Sequence, residues 1–189
     1  LNNKKFTTLF VDGNHENFEL IEKSPIVEKW GGLVNEVYPG IFRLRRGEIY
    51  WINGKSFFVM GGAMSNSNQK DLNYTGRGRN KKLRNQLSWW AEEIPSEEEF
   101  DYGLEKLASV GFKVDYILTH TCSVETMRDM WDILGYVNVE RLKDPVSLYL
   151  DEIMEKVEFV EWHFGHHHQD VQIDNVFCHY KGKPFLLNA

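Results

Sequence analysis

Short apolar runs alternate with polar punctuation along this chain, and the period of each run predicts whether the segment extends or coils. Lys5-Phe6-Thr7-Thr8-Leu9-Phe10-Val11 reads as a buried strand that runs at once into the glycine turn Asp12-Gly13-Asn14. In residues 47–60 two strand-like runs flank Asn53-Gly54, a pair that readily takes the positive φ angles of a tight hairpin, and Gly61-Gly62 follows. Residues 65–78, rich in Asn, Ser and Gly, predict a long exposed loop of the kind that often carries function.

Downstream the period lengthens. After Pro95, Ser96-Glu97-Glu98-Glu99 forms a capping box, and Phe100, Leu104, Leu107 and Ala108 follow at helical spacing up to Gly111, which predicts an amphipathic helix. Residues 114–119 form a short buried strand that delivers His120. A helix over 145–157 precedes a strand over 158–162 that leads to Gly165-His166-His167-His168, and the tail, 174–187, reads as a hairpin turning at Lys181-Gly182-Lys183. With no internal repeat and no linker, a single α/β domain over 1–189 is the economical organisation.

Composition narrows the class. At 189 residues, 42% hydrophobic and 26% charged, the chain can bury a core that needs neither disulfides nor a structural metal, so any metal would be functional. With 22 Lys plus Arg against 28 Asp plus Glu, the net charge of -6 does not fit a protein that coats nucleic acid. A local exception is Lys70, Arg77, Arg79, Lys81, Lys82 and Arg84, with Tyr74 nearby: either a patch for phosphate groups or nucleic acid over 70–84, or a solvated helix start. Trp89-Trp90 reads as core or hinge packing.

No apolar run approaches the length needed to span a bilayer, and Leu1-Asn2-Asn3-Lys4-Lys5 lacks a signal peptide's apolar stretch, which points to the cytoplasm and away from membranes. Cys122 and Cys178 are too few and too far apart for a disulfide framework, in keeping with a reducing compartment, and Cys122 reads as a small buried residue. A core strand at the very first residues, in a chain that does not start with Met, leads us to expect a missing beginning.

Three strand-like segments end in the same chemistry: Gly13-Asn14-His15-Glu16, Thr119-His120-Thr121, and His166-His167-His168. Ligands collect at strand ends in layered α/β proteins, where rigid elements hold side chains that face solvent. Imidazoles with a carboxamide oxygen suit Zn, Mn, Fe or Ni. In an extended segment only His166 and His168 would share a face; His163 and His179 read as ordinary strand and hairpin residues.

These residues resemble the later motifs of the calcineurin-like metallophosphoesterases: Gly-Asn-His-(Glu/Asp), a strand-end His and Gly-His-x-His, present in family order as Gly13-Asn14-His15-Glu16, His120 and Gly165-His166-His167-His168. Gly61-Gly62-Ala63-Met64-Ser65 and Ser88-Trp89-Trp90-Ala91-Glu92-Glu93 look like segments of the bacterial and phage-type branch. The resemblance implies an α/β/β/α sandwich of two mixed sheets flanked by helices, here without its N-terminal strand or strands. It implies two divalent metal ions, Mn foremost, with Fe, Zn or Ni as alternatives. Asn14, His120 and His166 would bind one and His168 the other. The implied reaction is hydrolysis of a phosphomonoester or phosphodiester by a metal-bound hydroxide, with His15 facing the phosphoryl group and Arg77 or Arg79 reaching the substrate.

One departure matters. The family's Asp-x-His and Gly-Asp motifs, which supply the rest of the first metal's ligands and the bridging carboxylate, are absent. Asp12 lies two residues before Asn14 inside the tight turn, a poor place for that bridging group. The competing expectation is therefore a catalytically incomplete module that binds metal, phosphate or nucleic acid.

Overall fold

The computed structural model describes residues 6–65, 90–136 and 144–181. The strands over these residues form two mixed sheets. The first has the order β1-β4-β3-β2, from β1 (Thr8–Val11), β2 (Ile26–Lys29), β3 (Gly32–Tyr38) and β4 (Ile41–Leu44). β1 runs parallel to β4 and the other pairs are antiparallel. The second, ordered β5-β6-β7-β8-β10-β9, is built from β5 (Ile49–Ile52), β6 (Lys55–Met60), β7 (Lys113–Thr119), β8 (Glu158–Phe164), β9 (Val171–Ile173) and β10 (Val176–Cys178). Its centre, β6 to β7 to β8 to β10, is parallel, so these strands end at one rim of the sheet.

Strand alternation sorts side chains into two cores. Phe57, Val59 and Tyr116 face the first sheet and pack with Val34, Phe42 and Leu44. Phe58, Met60, Ile117, Trp162 and Phe164 point the other way, into a larger core completed by three helices: α2 (Glu97–Ser109), α3 (Val124–Leu134) and α4 (Pro145–Lys156). Each large side chain buried there contributes roughly 1.5–3 kcal/mol. A short helix, α1 (Phe18–Lys23), lies against β3, where Asn35, on the opposite face from Val34, donates to Ile21 O.

Local chemistry explains several boundaries. Asn53 and Gly54 both take positive φ, 51° and 76°, which closes the β5–β6 hairpin. Ser96 and Glu99 cap α2 reciprocally. Asp144 accepts from Val146 N with Pro145 next to the cap, so α4 starts where its first orphan donors are satisfied.

Three expectations need correction. β1 is half-buried, because it is the edge of its sheet and pairs with β4 alone among the described residues. Ala108 is exposed, since the buried stripe of α2 runs through Gly103 and Leu107 and position 108 rotates away from it. A hairpin that was not expected joins β9 and β10 at Asp174-Asn175, with Asp174 at φ 51°. The strand expected over 158–162, β8, continues to Phe164, two residues beyond its expected end. The turn at Gly182-Lys183, the loop 66–78, the basic segment 70–84 with Arg77 and Arg79, and Trp89 lie outside the described residues. No helix among the described residues is long and apolar enough to cross a membrane.

Candidate functional site

The rim of the second sheet and the end of β1 meet at one place. His120 follows β7, and its backbone is laced to both neighbouring strand ends: His120 N donates to Met60 O at 3.3 Å, and Gly165 N donates to His120 O at 3.0 Å. From the first sheet, Asp12 O accepts from Gly62 N at 2.9 Å, which brings Gly13 and Asn14 alongside. Gly13 is required there. A Cβ on it would lie 2.7 Å from His120 Cε1, so a side chain would push the imidazole away.

Three candidate donor atoms converge. Asn14 Oδ1 accepts from His120 Nε2 at 3.0 Å, and His166 Nδ1 lies 3.2 Å from the same Nε2. Ligand atoms around a cation with bonds of about 2.0–2.2 Å stand roughly 3.0–3.5 Å apart, so the spacing fits a shared ion. The carboxamide is oriented for this role: Asn14 Nδ2 donates to Ser65 Oγ at 2.9 Å, which turns Oδ1 toward the imidazoles. Ser65 is in turn pinned through its N–H to the fully buried Glu93, and Met64 N donates to Asp144.

Electrostatics suits neutral ligands. Burial, reinforced by the imidazoles of His15 and His168 and opposed by Asp12, pushes His120 down to about 4. Burial with the neighbouring imidazoles takes His166 down to about 3. Both rings are therefore unprotonated at neutral pH, the form that binds metal.

His15 and His168 sit at the solvent side. Both are exposed; His15 Nε2 lies 3.4 Å from Asn14 Nδ2, and His168 stacks on Tyr180 with ring centroids 4.7 Å apart. His168 thus neighbours the trio without a hydrogen bond to it among those described. The His triplet is not extended as expected: His166 and His168 take φ of 64° and 54°, and His167 turns inward to Thr121 and Cys122. Among the described residues no three His, Cys, Asp or Glu side chains are placed to hold one ion; the trio described here is two imidazoles and a carboxamide.

Asp12 is committed elsewhere. It is wholly buried, Arg43 Nε donates to Oδ1 at 2.7 Å, and Arg46 Nε donates to Oδ2 at 2.8 Å. Burial opposes its ionisation, but the guanidiniums of Arg46 and Arg43 outweigh that and hold the carboxyl below its ordinary range. Arg46 also reaches Glu92 O and Glu99, so Asp12 fastens the end of β1 to the start of α2.

His163 and His179 contact each other, and the cysteines are buried. His163 Nδ1 contacts His179 Nε2 at 3.0 Å, and its Nε2 contacts Glu161 at 3.1 Å, so the two residues read as ordinary form a pair. Cys122 is fully buried, which raises its thiol well above the usual range and makes it unreactive. The sequence reading missed Ser65, Glu93 and His167; the signal for Ser65 was its place at the end of Gly61-Gly62-Ala63-Met64-Ser65, and for His167 its place between two candidate ligands.

Comparison of the chain with protein-family models, with curated proteins and with solved structures yields no match in any of the three.

Proposed function

We propose that this chain is a metal-dependent phosphoester hydrolase of the calcineurin-like kind. The observation that carries the reading is the convergence of Asn14 Oδ1, His120 Nε2 and His166 Nδ1 at strand ends, at separations of 3.0 and 3.2 Å. Support comes also from two mixed sheets packed face to face with helices outside them, the arrangement that resemblance leads one to expect.

In this reading Asn14, His120 and His166 hold one divalent cation, Mn foremost, and His168 contributes to a second. Bound divalent ions would supply Lewis-acid chemistry, polarising phosphoryl oxygens and making water acidic enough to ionise near neutral pH. The chain's own part is to keep the two imidazoles unprotonated, to aim the Asn14 oxygen through Ser65, and to present His15 at the mouth. There His15 donates a proton to the leaving oxygen. Arg77 or Arg79 engages the substrate's phosphate, and the basic segment 70–84 would widen the choice to nucleic-acid phosphodiesters.

The test is turnover of an aryl phosphate ester with added Mn, comparing the parent with His15→Ala. Metal-dependent hydrolysis that falls by about 10²-fold or more in the variant supports the reading. No metal-dependent turnover, or a fully active variant, defeats it.

A second reading has its own observation. Asp12 is held by two arginines, and of the described residues only His168 is expected at a second cation, which favours a module that binds one metal or a phosphate without turnover. Stoichiometric Mn binding with no hydrolysis would select it.

A further inference from the structure

The loop from Gly165 to His168 carries two non-glycine residues in the left-handed region within three positions, His166 at φ 64° and His168 at φ 54°. Such backbone is unfavourable by itself and persists only where surrounding contacts over-determine it. The contacts come from His167. Its Nε2 lies 3.2 Å from Thr121 Oγ1 and 3.5 Å from Cys122 Sγ, its ring meets Phe164 edge-on, and its N–H donates to Gly165 O at 2.7 Å. The neighbouring His166 ring stands nearly perpendicular, at 83°, and faces His120 instead.

Thr121 and Cys122 are the two residues immediately after His120. The segment that carries one candidate ligand therefore grips the side chain next to another, and these contacts link the positions of His120 and His166. With Nε2 engaged by a hydroxyl and a thiol, His167 is turned away from the site its neighbours line.

We propose that His167 is a positioning residue, which locks the loop so that His166 Nδ1 stays beside His120 Nε2. The inference rests on the reading of Asn14, His120 and His166 as a cation site. Outer groups that orient metal ligands commonly change affinity by about 10- to 100-fold when removed.

The experiment uses the whole chain, free of metal and then titrated with Mn, as the parent and as His167→Leu, His167→Gln, Thr121→Val and His166→Ala. Two quantities are read: the Mn dissociation constant, and the imidazole nitrogen resonances of His120 and His166 in the metal-free protein. We expect His167→Leu to weaken Mn binding about tenfold and to shift both ring resonances, while His167→Gln, which restores an acceptor near Thr121, recovers most of both. A His167→Leu protein with parental affinity and parental resonances overturns the proposal, even where His166→Ala abolishes binding and so leaves the cation reading standing. If the parent binds no Mn, the cation reading fails, and the ring resonances still decide: unshifted in His167→Leu, they overturn the positioning role. Should His167→Leu not fold, Thr121→Val decides in the same way, with unshifted resonances against the proposal and shifted ones for it.

Discussion

Asn14 Nδ2 donates to Ser65 Oγ at 2.9 Å, and that bond determines which end of the carboxamide faces His120. An amide free to rotate would also present its NH2 group to the imidazoles, and a donor there would repel a cation. Ser65→Ala should therefore weaken Mn binding by about tenfold while costing only about 1 kcal/mol of stability. Calorimetric titration beside a denaturation curve checks this; unchanged affinity would show that the amide is oriented by something else.

Asp12 is expected to matter for stability and not as a bridging ligand. Its two buried arginine partners would lose their counter-charge in Asp12→Asn, and breaking a buried pair typically costs about 3–5 kcal/mol. Urea denaturation of the metal-free variant reads the loss directly. Parental stability combined with lost metal binding would reverse the assignment.

What was legible in the sequence follows from how local each signal is. Asn53-Gly54, the Ser96–Glu99 box and the strand ends at Val11 and Thr119 are written in a few adjacent residues, and all appear at their expected positions, while β8 runs two residues further than expected. Residues 17–46 yielded nothing, although they hold α1 and β2 to β4. There the alternation is blurred: Asn35 and Arg43 are buried polar residues within strands, and the β3–β4 register shifts between Glu36 and Tyr38. Helix α3, not among the elements expected from the sequence, has its own local signals in the Ser123 cap, Met127 and Met130 at helical spacing and Gly135 at its end. The supporting residues of the site are harder in principle. Ser65 meets Asn14 across 51 positions, a pairing that only the tertiary fold creates.

Gly13→Ala offers a test of close packing at the site. The added methyl would overlap the His120 ring, whose Cε1 lies 2.7 Å from the ideal Cβ position. The variant should fold, bind Mn more weakly and show displaced His120 ring resonances in the metal-free state. Parental binding would mean that the ring has room to yield.

Acid should destabilise the metal-free protein in a defined window. His120, His166 and His167 are pushed by burial to about 4, 3 and 4, whereas unfolded histidines titrate near 6.5. As pH falls below about 6.5 the unfolded state takes up these protons first, so the stability present above that pH is lost progressively down to about 3. A urea midpoint followed from pH 7.5 to 4.5 should fall, and the fall should be shallower in His167→Gln. A flat profile would contradict the buried, neutral state assigned to these rings.

Anomalous scattering from crystals of the whole chain grown with Mn is the most direct measurement of the central claim. The account predicts a peak within bonding distance of Asn14 Oδ1, His120 Nε2 and His166 Nδ1 together, lost in His120→Ala. A peak elsewhere, or none at saturating Mn with the three side chains still in contact, would contradict it.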